Sequence, residues 1–184
     1  MQITRTDFPG LIILKPTVFE DDRGYFMETH NQQRLKKEGV DYTFVQDNES
    51  KSQKGVIRGL HFQVGEYAQA KLVRVFSGAV QDVVVDLRKD SPTYGKQYSA
   101  ILSGENRHQL LIPRGFAHGF AVLEENTVFF YKCDNFYSKD HEGGFRHNDP
   151  VFEIDWQVPI NERIISERDQ KLPLYDKDLT DFYL

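Results

Sequence analysis

The run Lys71-Leu-Val-Arg-Val-Phe-Ser-Gly-Ala-Val-Gln-Asp-Val-Val-Val-Asp-Leu87 decides the fold. Its two halves, Lys71–Phe76 and Ala79–Leu87, are short, apolar and rich in β-branched residues, and Ser77-Gly78 between them is turn chemistry. The segment therefore reads as two consecutive strands. The same unit recurs on either side. Val56–Gln63 precedes it, and Gln97–Leu102, Gln109–Ile112, His118–Leu123 and Thr127–Cys133 follow. Turns separate them at Ser91-Pro-Thr-Tyr-Gly95, Ser103-Gly-Glu-Asn106, Pro113-Arg-Gly115 and Glu124-Glu-Asn126. Short strands at that spacing predict an all-β fold, a jelly-roll sandwich or barrel with a few short peripheral helices. Nearer the N-terminus, Leu11–Phe19 reads as a strand, Glu20–Gly24 as a turn and Tyr25–Glu28 as a second short strand. Asn31–Gly39 is the one good early helix, with Asn31 as N-cap and Gly39 as stop. The last forty residues are more polar, with a turn at Asn148-Asp-Pro150 and a short helix expected over Asn161–Asp169. Nothing reads as a linker, so residues 1–184 are expected to form one domain with N-terminal strands and a wrapped C-terminal tail.

The net charge of −5 argues against a general nucleic-acid binder, which needs a positive face. It leaves room for one small anion held by a few arginines. A single cysteine, Cys133, permits no internal disulfide. The N-terminal Met1–Asp7 has no apolar run behind basic residues, and no stretch approaches the roughly 20 apolar residues of a membrane span. The expectation is a cytoplasmic protein without a membrane partner.

Candidate chemistry gathers on four strands. His61 and Gln63 lie two apart and share a strand face. Lys71 opens an apolar face continued by Val73 and Val75, although a lysine at a strand end ordinarily snorkels to water. A Pro113-x-Gly115 turn delivers His118 onto the next strand, and Tyr131 alternates with Phe129 and Cys133. Each alone is more often a packing or surface residue than a functional one. Arg58 and His61 have opposite parity, so both reach one site only if Gly59 introduces a bulge.

Together these pieces resemble the cupin superfamily. Its first signature is a glycine, five residues, two histidines one residue apart, then a glutamate and a later glycine. Here Gly55 and His61 fit, Gln63 replaces the second histidine, and Lys71 stands for the glutamate, with six residues between it and Gly78. In the second signature Pro113, Gly115 and His118 fit, and Val122 replaces an asparagine. An ammonium in place of a carboxylate disfavours a divalent ion, so no metal is expected.

The chain is similar, more narrowly, to the dTDP-4-dehydrorhamnose 3,5-epimerase family. The resemblance runs through Asp22–Glu28, Val45–Ser50, Gly55–His61, Lys71–Val75, Gly78–Arg88, Ser91–Gly95, Ile112–Phe120, Tyr131–Cys133, Asn148–Pro150 and Ser166–Asp169. It implies inversion of C3 and C5 of a dTDP-linked 4-keto-6-deoxyhexose through an enolate, without a cofactor, in a homodimer that exchanges strands. It implies His61 as base with Asp169 as its partner, Lys71 as enolate stabiliser and Tyr131 as acid. Arg23 and Arg58 would meet the diphosphate; Phe26, Glu28, Gln46 and Asn48 the nucleotide; Tyr137 would stack on thymine; His118, Glu142 and Arg168 would add polar contacts. Arg168 replaces a common lysine, and Phe145-Arg-His147 replaces an aliphatic and tryptophan pattern, which bears on the outer wall of the sugar pocket. Three alternatives stand beside this reading: an epimerase of C3 only or C5 only, a metal-dependent cupin, and a non-catalytic sugar-binding cupin.

Overall fold

The computed structural model describes residues 1–176. Its strands are β1 (Gln2–Arg5), β2 (Ile12–Lys15), β3 (Val18–Asp21), β4 (Gly24–Met27), β5 (Gln46–Ser52), β6 (Val56–Gln63) and β7 (Lys71–Ser77). They continue as β8 (Ala79–Asp86), β9 (Gln97–Ser103), β10 (Gln109–Ile112), β11 (Phe116–Val122), β12 (Thr127–Cys133), β13 (Glu142–Gly144) and β14 (Ile164–Ile165). Two α-helices, α1 (Gln32–Lys37) and α2 (Glu167–Gln170), accompany them. One sheet runs β1-β2-β10-β7-β12-β5; the other runs β13-β6-β11-β8-β9, with β14 added beside β6; β3 and β4 form a separate hairpin.

The two large sheets pack face to face because each strand alternates. Val73, Val75, Leu110, Ile112 and Phe129 from the first meet Val80, Val84, Phe116, Phe120 and Val122 from the second in a buried inner core. The outer faces are also covered. Leu35 of α1 and Val40 pack on Ile12, Leu14, Leu72 and Leu111. Phe145, Phe152, Trp156 and Val158 of the C-terminal segment cover Ile57, Leu60, Phe62, Val83 and Val85. This double covering explains why every residue of β8 is buried. Gln81, on its outer side, ties the tail down by donating to the Asp155 carbonyl and accepting from the Gln157 amide.

The strands expected from the valine-rich centre are where the sequence placed them. Three other regions differ. The expected strand Leu11–Phe19 is divided between β2 and β3, because Pro16 has no N–H to continue a ladder. The expected helix over Asn161–Asp169 is instead a 3-10 turn at Ile160–Glu162, the strand β14 and the four-residue α2. Ser166 starts α2 by accepting from the Asp169 amide, so the helix begins only there. Finally, Phe145 lies in the outer core against Phe62 and Phe152, away from the sugar-pocket wall expected for it.

Candidate active site

A bulge in β6 builds the site. Against β11, His61 pairs with His118 and Arg58 with Phe120, so Gly59 and Leu60 together face the single residue Gly119. The inserted residue reverses parity: Ile57, Leu60 and Phe62 enter the outer core, while Arg58 and His61 turn inward. Only glycine serves at position 59. Its φ is +121°, and a Cβ there would sit 2.5 Å from the Gly119 Cα and 2.8 Å from the His118 carbonyl oxygen. The bulge required by the parity of Arg58 and His61 is present.

It also connects to the chemistry. The Gly59 N–H donates to Asp169 Oδ2 at 3.2 Å, and His61 Nε2 lies 2.9 Å from Asp169 Oδ1. One carboxylate from α2 thus fixes both the bulge and the imidazole, which leaves His61 Nδ1 as the nitrogen available to the cavity. Burial alone would raise the Asp169 carboxyl. The hydrogen bonds from His61 and Gly59 and the nearby cationic groups outweigh it and hold the carboxyl below the usual range.

The opposite wall comes from the other sheet. Register places Tyr131 beside Val73 on β7 and Asn48 on β5, and Cys133 beside Lys71. Lys71 Nζ stands 5.7 Å from the centre of the Tyr131 ring. Desolvation lowers the lysine's pKa, against opposition from Cys133, Asp82 and Glu142. Burial pushes the Cys133 thiol up to about 11, so near neutral pH the opposing charge is that of the two carboxylates. Burial likewise raises the Tyr131 phenol, aided by Cys133 and Glu142, so it stays protonated. His61, Lys71, His118 and Tyr131 line one cavity of about 580 Å³, with Arg58, Asn48, Glu142, Arg168 and Asp169 at its sides and rim.

The rim is linked by hydrogen bonds. Tyr137 donates its hydroxyl to Glu142 Oε2 at 2.8 Å and its amide to Gln46 Oε1 at 3.0 Å. Glu142 also holds the Arg168 guanidinium. Gln63, in the position of the second cupin histidine, donates to the Tyr67 and Phe136 carbonyls and accepts from the Ser138 amide. Its amide therefore anchors the loop carrying Tyr137. Among the described residues, no group of three or more His, Cys, Asp or Glu is placed to hold a metal ion.

Three expected residues are elsewhere in the chain. Arg23 and Phe26 lie on the β3–β4 hairpin, strongly exposed, with Arg23 paired to its neighbour Asp21 at 2.5 Å. Glu28, just past the hairpin, accepts from Asn31 and Arg34. Two residues that the sequence reading passed over belong to the site's framework. Ser166 caps α2 and so presents Asp169. Asp82, an acid inside a valine run, is fully buried and lies 2.9 Å from His118 Nε2.

Known proteins share both the sequence and this architecture. The family profile described as dTDP-4-dehydrorhamnose 3,5-epimerase matches residues 5–177. A relative of that name from Salmonella typhimurium is 49% identical over 183 residues, which is 97% of this chain and 98% of the relative. The crystal structure of dTDP-4-dehydrorhamnose 3,5-epimerase from Elizabethkingia anophelis superposes with a TM-score of 0.92 at 52% identity, over 95% of this chain and 96% of that one. The crystal structure of dTDP-6-deoxy-D-glucose-3,5-epimerase from Legionella pneumophila, in complex with dTDP-4-keto-L-rhamnose, gives 0.91 at 42% identity, over 97% and 96%. A profile spanning nearly all of the chain and relatives at about half identity along their whole length leave one conclusion: the chain belongs to the dTDP-4-dehydrorhamnose 3,5-epimerase family.

Proposed function

We propose that this protein converts dTDP-4-dehydro-6-deoxy-D-glucose to dTDP-4-dehydro-L-rhamnose, inverting C3 and C5 by proton removal and return through an enolate, as a step of dTDP-L-rhamnose biosynthesis. One observation carries the reading: an imidazole held by a carboxylate faces the cavity from one sheet, and a protonated phenol with a lysine faces it from the other. Facing sheets stand about 10 Å apart, enough for a sugar ring between them. His61 removes the proton from the carbon beside the ketone. Asp169 keeps its tautomer and balances the imidazolium that forms. The electron pair moves onto the ketone oxygen, where Lys71 stabilises it. Tyr131 returns a proton from the opposite face, and the configuration inverts.

For the nucleotide, Arg58 and Arg168 supply cationic forks at the cavity's side and rim, suited to a diphosphate. Asn48, Gln46 and Glu142 offer polar contacts, His118 a further one to the sugar, and Tyr137 a half-exposed ring to stack on thymine. Arg23, Phe26 and Glu28 serve in trans: the chain works as a homodimer, and the exposed β3–β4 hairpin of one protomer completes the cavity of the other. No metal takes part, since Lys71 occupies the position of one ligand and Gln63, at that of another, is committed to backbone groups. The enzyme is cytoplasmic. Among the described residues, no helix is long and apolar enough to cross a membrane.

The decisive experiment supplies purified protein with dTDP-4-dehydro-6-deoxy-D-glucose in deuterated buffer. Deuterium at both C3 and C5, and a rhamnosyl product after reduction of the ketone, are expected. Exchange at one carbon only would establish the single-carbon alternative; exchange at neither would refute the enzyme reading. For the dimer, co-expressed Arg23→Ala and His61→Ala chains should recover about a quarter of wild-type activity, since half of the dimers are mixed and each holds one complete site. No recovery would refute sharing in trans.

A further inference from the structure

At the cavity wall lies a second histidine–carboxylate pair, His118 and Asp82, whose carboxylate has no part in the proposed reaction. β8 presents Val80, Asp82 and Val84 to the interior, and register sets Asp82 opposite Phe120 and Val84 opposite His118 on β11. Asp82 is 0% exposed. Its Oδ2 lies 2.9 Å from His118 Nε2, and its Oδ1 is buried with no hydrogen-bond partner. For packing alone this is a poor residue. A buried carboxylate with one unsatisfied oxygen destabilises a fold, and valine already fills the neighbouring positions 80, 83, 84 and 85. Local rules broken without a structural gain are expected at functional sites.

His118 is the group through which such a carboxylate would act. Its ring is buried, lines the cavity, and is stacked near Phe129 at 6.1 Å. With Nε2 bound to Asp82, only Nδ1 remains to meet a ligand. A carboxylate accepts and cannot donate when ionised, so the pairing selects the tautomer with hydrogen on Nε2.

We propose that Asp82 is a positioning residue for the epimerisation: it fixes the ring and tautomer of His118, so that Nδ1 is presented to the sugar in one orientation. The arrangement repeats that of His61 and Asp169, with the carboxylate supplied from a neighbouring strand in place of a helix. The inference rests on the epimerase reading of the cavity. A wild-type protein without turnover would refute that reading, whereas the outcomes below refute only the role of Asp82.

Two variants separate orientation from packing. Asp82→Val removes the acceptor and fills the space; Asp82→Asn keeps an amide oxygen that can accept from Nε2–H. The expected result is a folded Asp82→Val protein with kcat reduced on the order of 10–100-fold, the loss typical when the partner of a functional histidine is removed. Its KM should change little. Asp82→Asn should recover most of the lost rate. Wild-type kcat in folded Asp82→Val, or an equal loss in both variants, would overturn the proposal. Should Asp82→Val fail to fold, the wild-type protein still decides. Labelled with ¹⁵N-histidine and observed by two-bond N–H correlation, His118 should carry its proton on Nε2; a ring protonated on Nδ1 alone would overturn the assignment.

Discussion

Replacing Lys71 by methionine should make the protein more stable and nearly inactive, and both effects follow from where the ammonium lies. The side chain faces the cavity within 5.7 Å of the Tyr131 ring centre, and desolvation lowers its pKa despite the charges of Asp82 and Glu142. Its folded-state pKa is therefore below its unfolded value. By linkage, the protonated lysine destabilises the fold at every pH below the folded pKa, and the penalty disappears as pH rises to the ordinary value of 10.5. Methionine has a similar length and no charge. Near neutral pH, Lys71→Met should gain on the order of 1 kcal/mol, the usual size of a stabilising change at a functional site. In a chain of this length that corresponds to about 2–4 °C in Tm. The gain should shrink in melts recorded above about pH 10. Activity moves the other way. Loss of one donor to a developing oxyanion typically lowers kcat by about 10²–10³-fold, or roughly 2.7–4 kcal/mol. Calorimetry at two pH values and proton exchange at C3 and C5 read the two effects separately. A variant less stable than wild type near neutral pH, or one that exchanges protons at the wild-type rate, would refute the reasoning.

Tyr131→Phe removes the acid and leaves the base, so it should lose turnover by roughly 10²–10⁴-fold while still exchanging deuterium on the His61 face; complete loss of exchange would contradict the division of roles. Asp169→Asn should lower kcat by about 10²–10⁴-fold by freeing the wrong tautomer of His61. Because the Asp169 carboxyl is held below its ordinary 3.8, its contribution to stability is present above that value and lost as pH falls through the folded pKa. Wild type should accordingly lose stability more steeply than Asp169→Asn in melts below about pH 4, and parallel curves would count against the pairing. Gly59→Ala places a Cβ 2.5 Å from the Gly119 Cα at a φ of +121° and should cost about 3 kcal/mol or more in urea unfolding. An alanine variant of wild-type stability would mean that the bulge does not depend on glycine.

The core strands were legible because their apolar side chains are buried by sheet packing, the effect that sequence patterning records. β8 is the clearest case: buried on both faces, it is a nearly unbroken valine run. β5 shows where that signal fails. Gln46, Asn48, Ser50 and Ser52 point inward and Asp47, Glu49 and Lys51 outward, so alternation exists without any contrast in polarity. The reason is functional, since Asn48 and Ser50 line the cavity, where polar groups have a use. β14 and α2 were hidden for another reason: their form depends on pairing with β6 and on the Ser166 cap, and neither is encoded by local periodicity. Of the site, the residues on regular strands could be placed by parity, and the Gly59 bulge followed from two residues that parity alone could not bring together. Asp82 escaped notice because a buried acid in a valine strand cannot be distinguished, in sequence, from an acid at a strand's exposed face. Arg23, Phe26 and Glu28 are not assembled with the cavity within the chain, because the β3–β4 hairpin pairs with neither large sheet.

The same accounting of polar groups explains how a scaffold resembling metal-binding cupins can run proton transfer. A metal site needs several lone pairs converging on one point. In this cavity two of the four candidate positions, Gln63 and Lys71, no longer supply one. Gln63 holds backbone groups of the 67 and 136–138 loops. His61 and His118 each have one nitrogen engaged by a separate carboxylate, and Lys71 brings a positive charge to the wall they face. A divalent cation placed among these groups would meet an ammonium in a poorly solvated space, where repulsion is weakly screened. An enolate oxygen at that point meets the reverse field. The two imidazoles, too few to hold a cation by themselves, then serve through single nitrogens of fixed tautomer, as proton transfer requires. On this reading the substitutions of amide and ammonium for histidine and glutamate act together: one withdraws a ligand and the other adds a like charge.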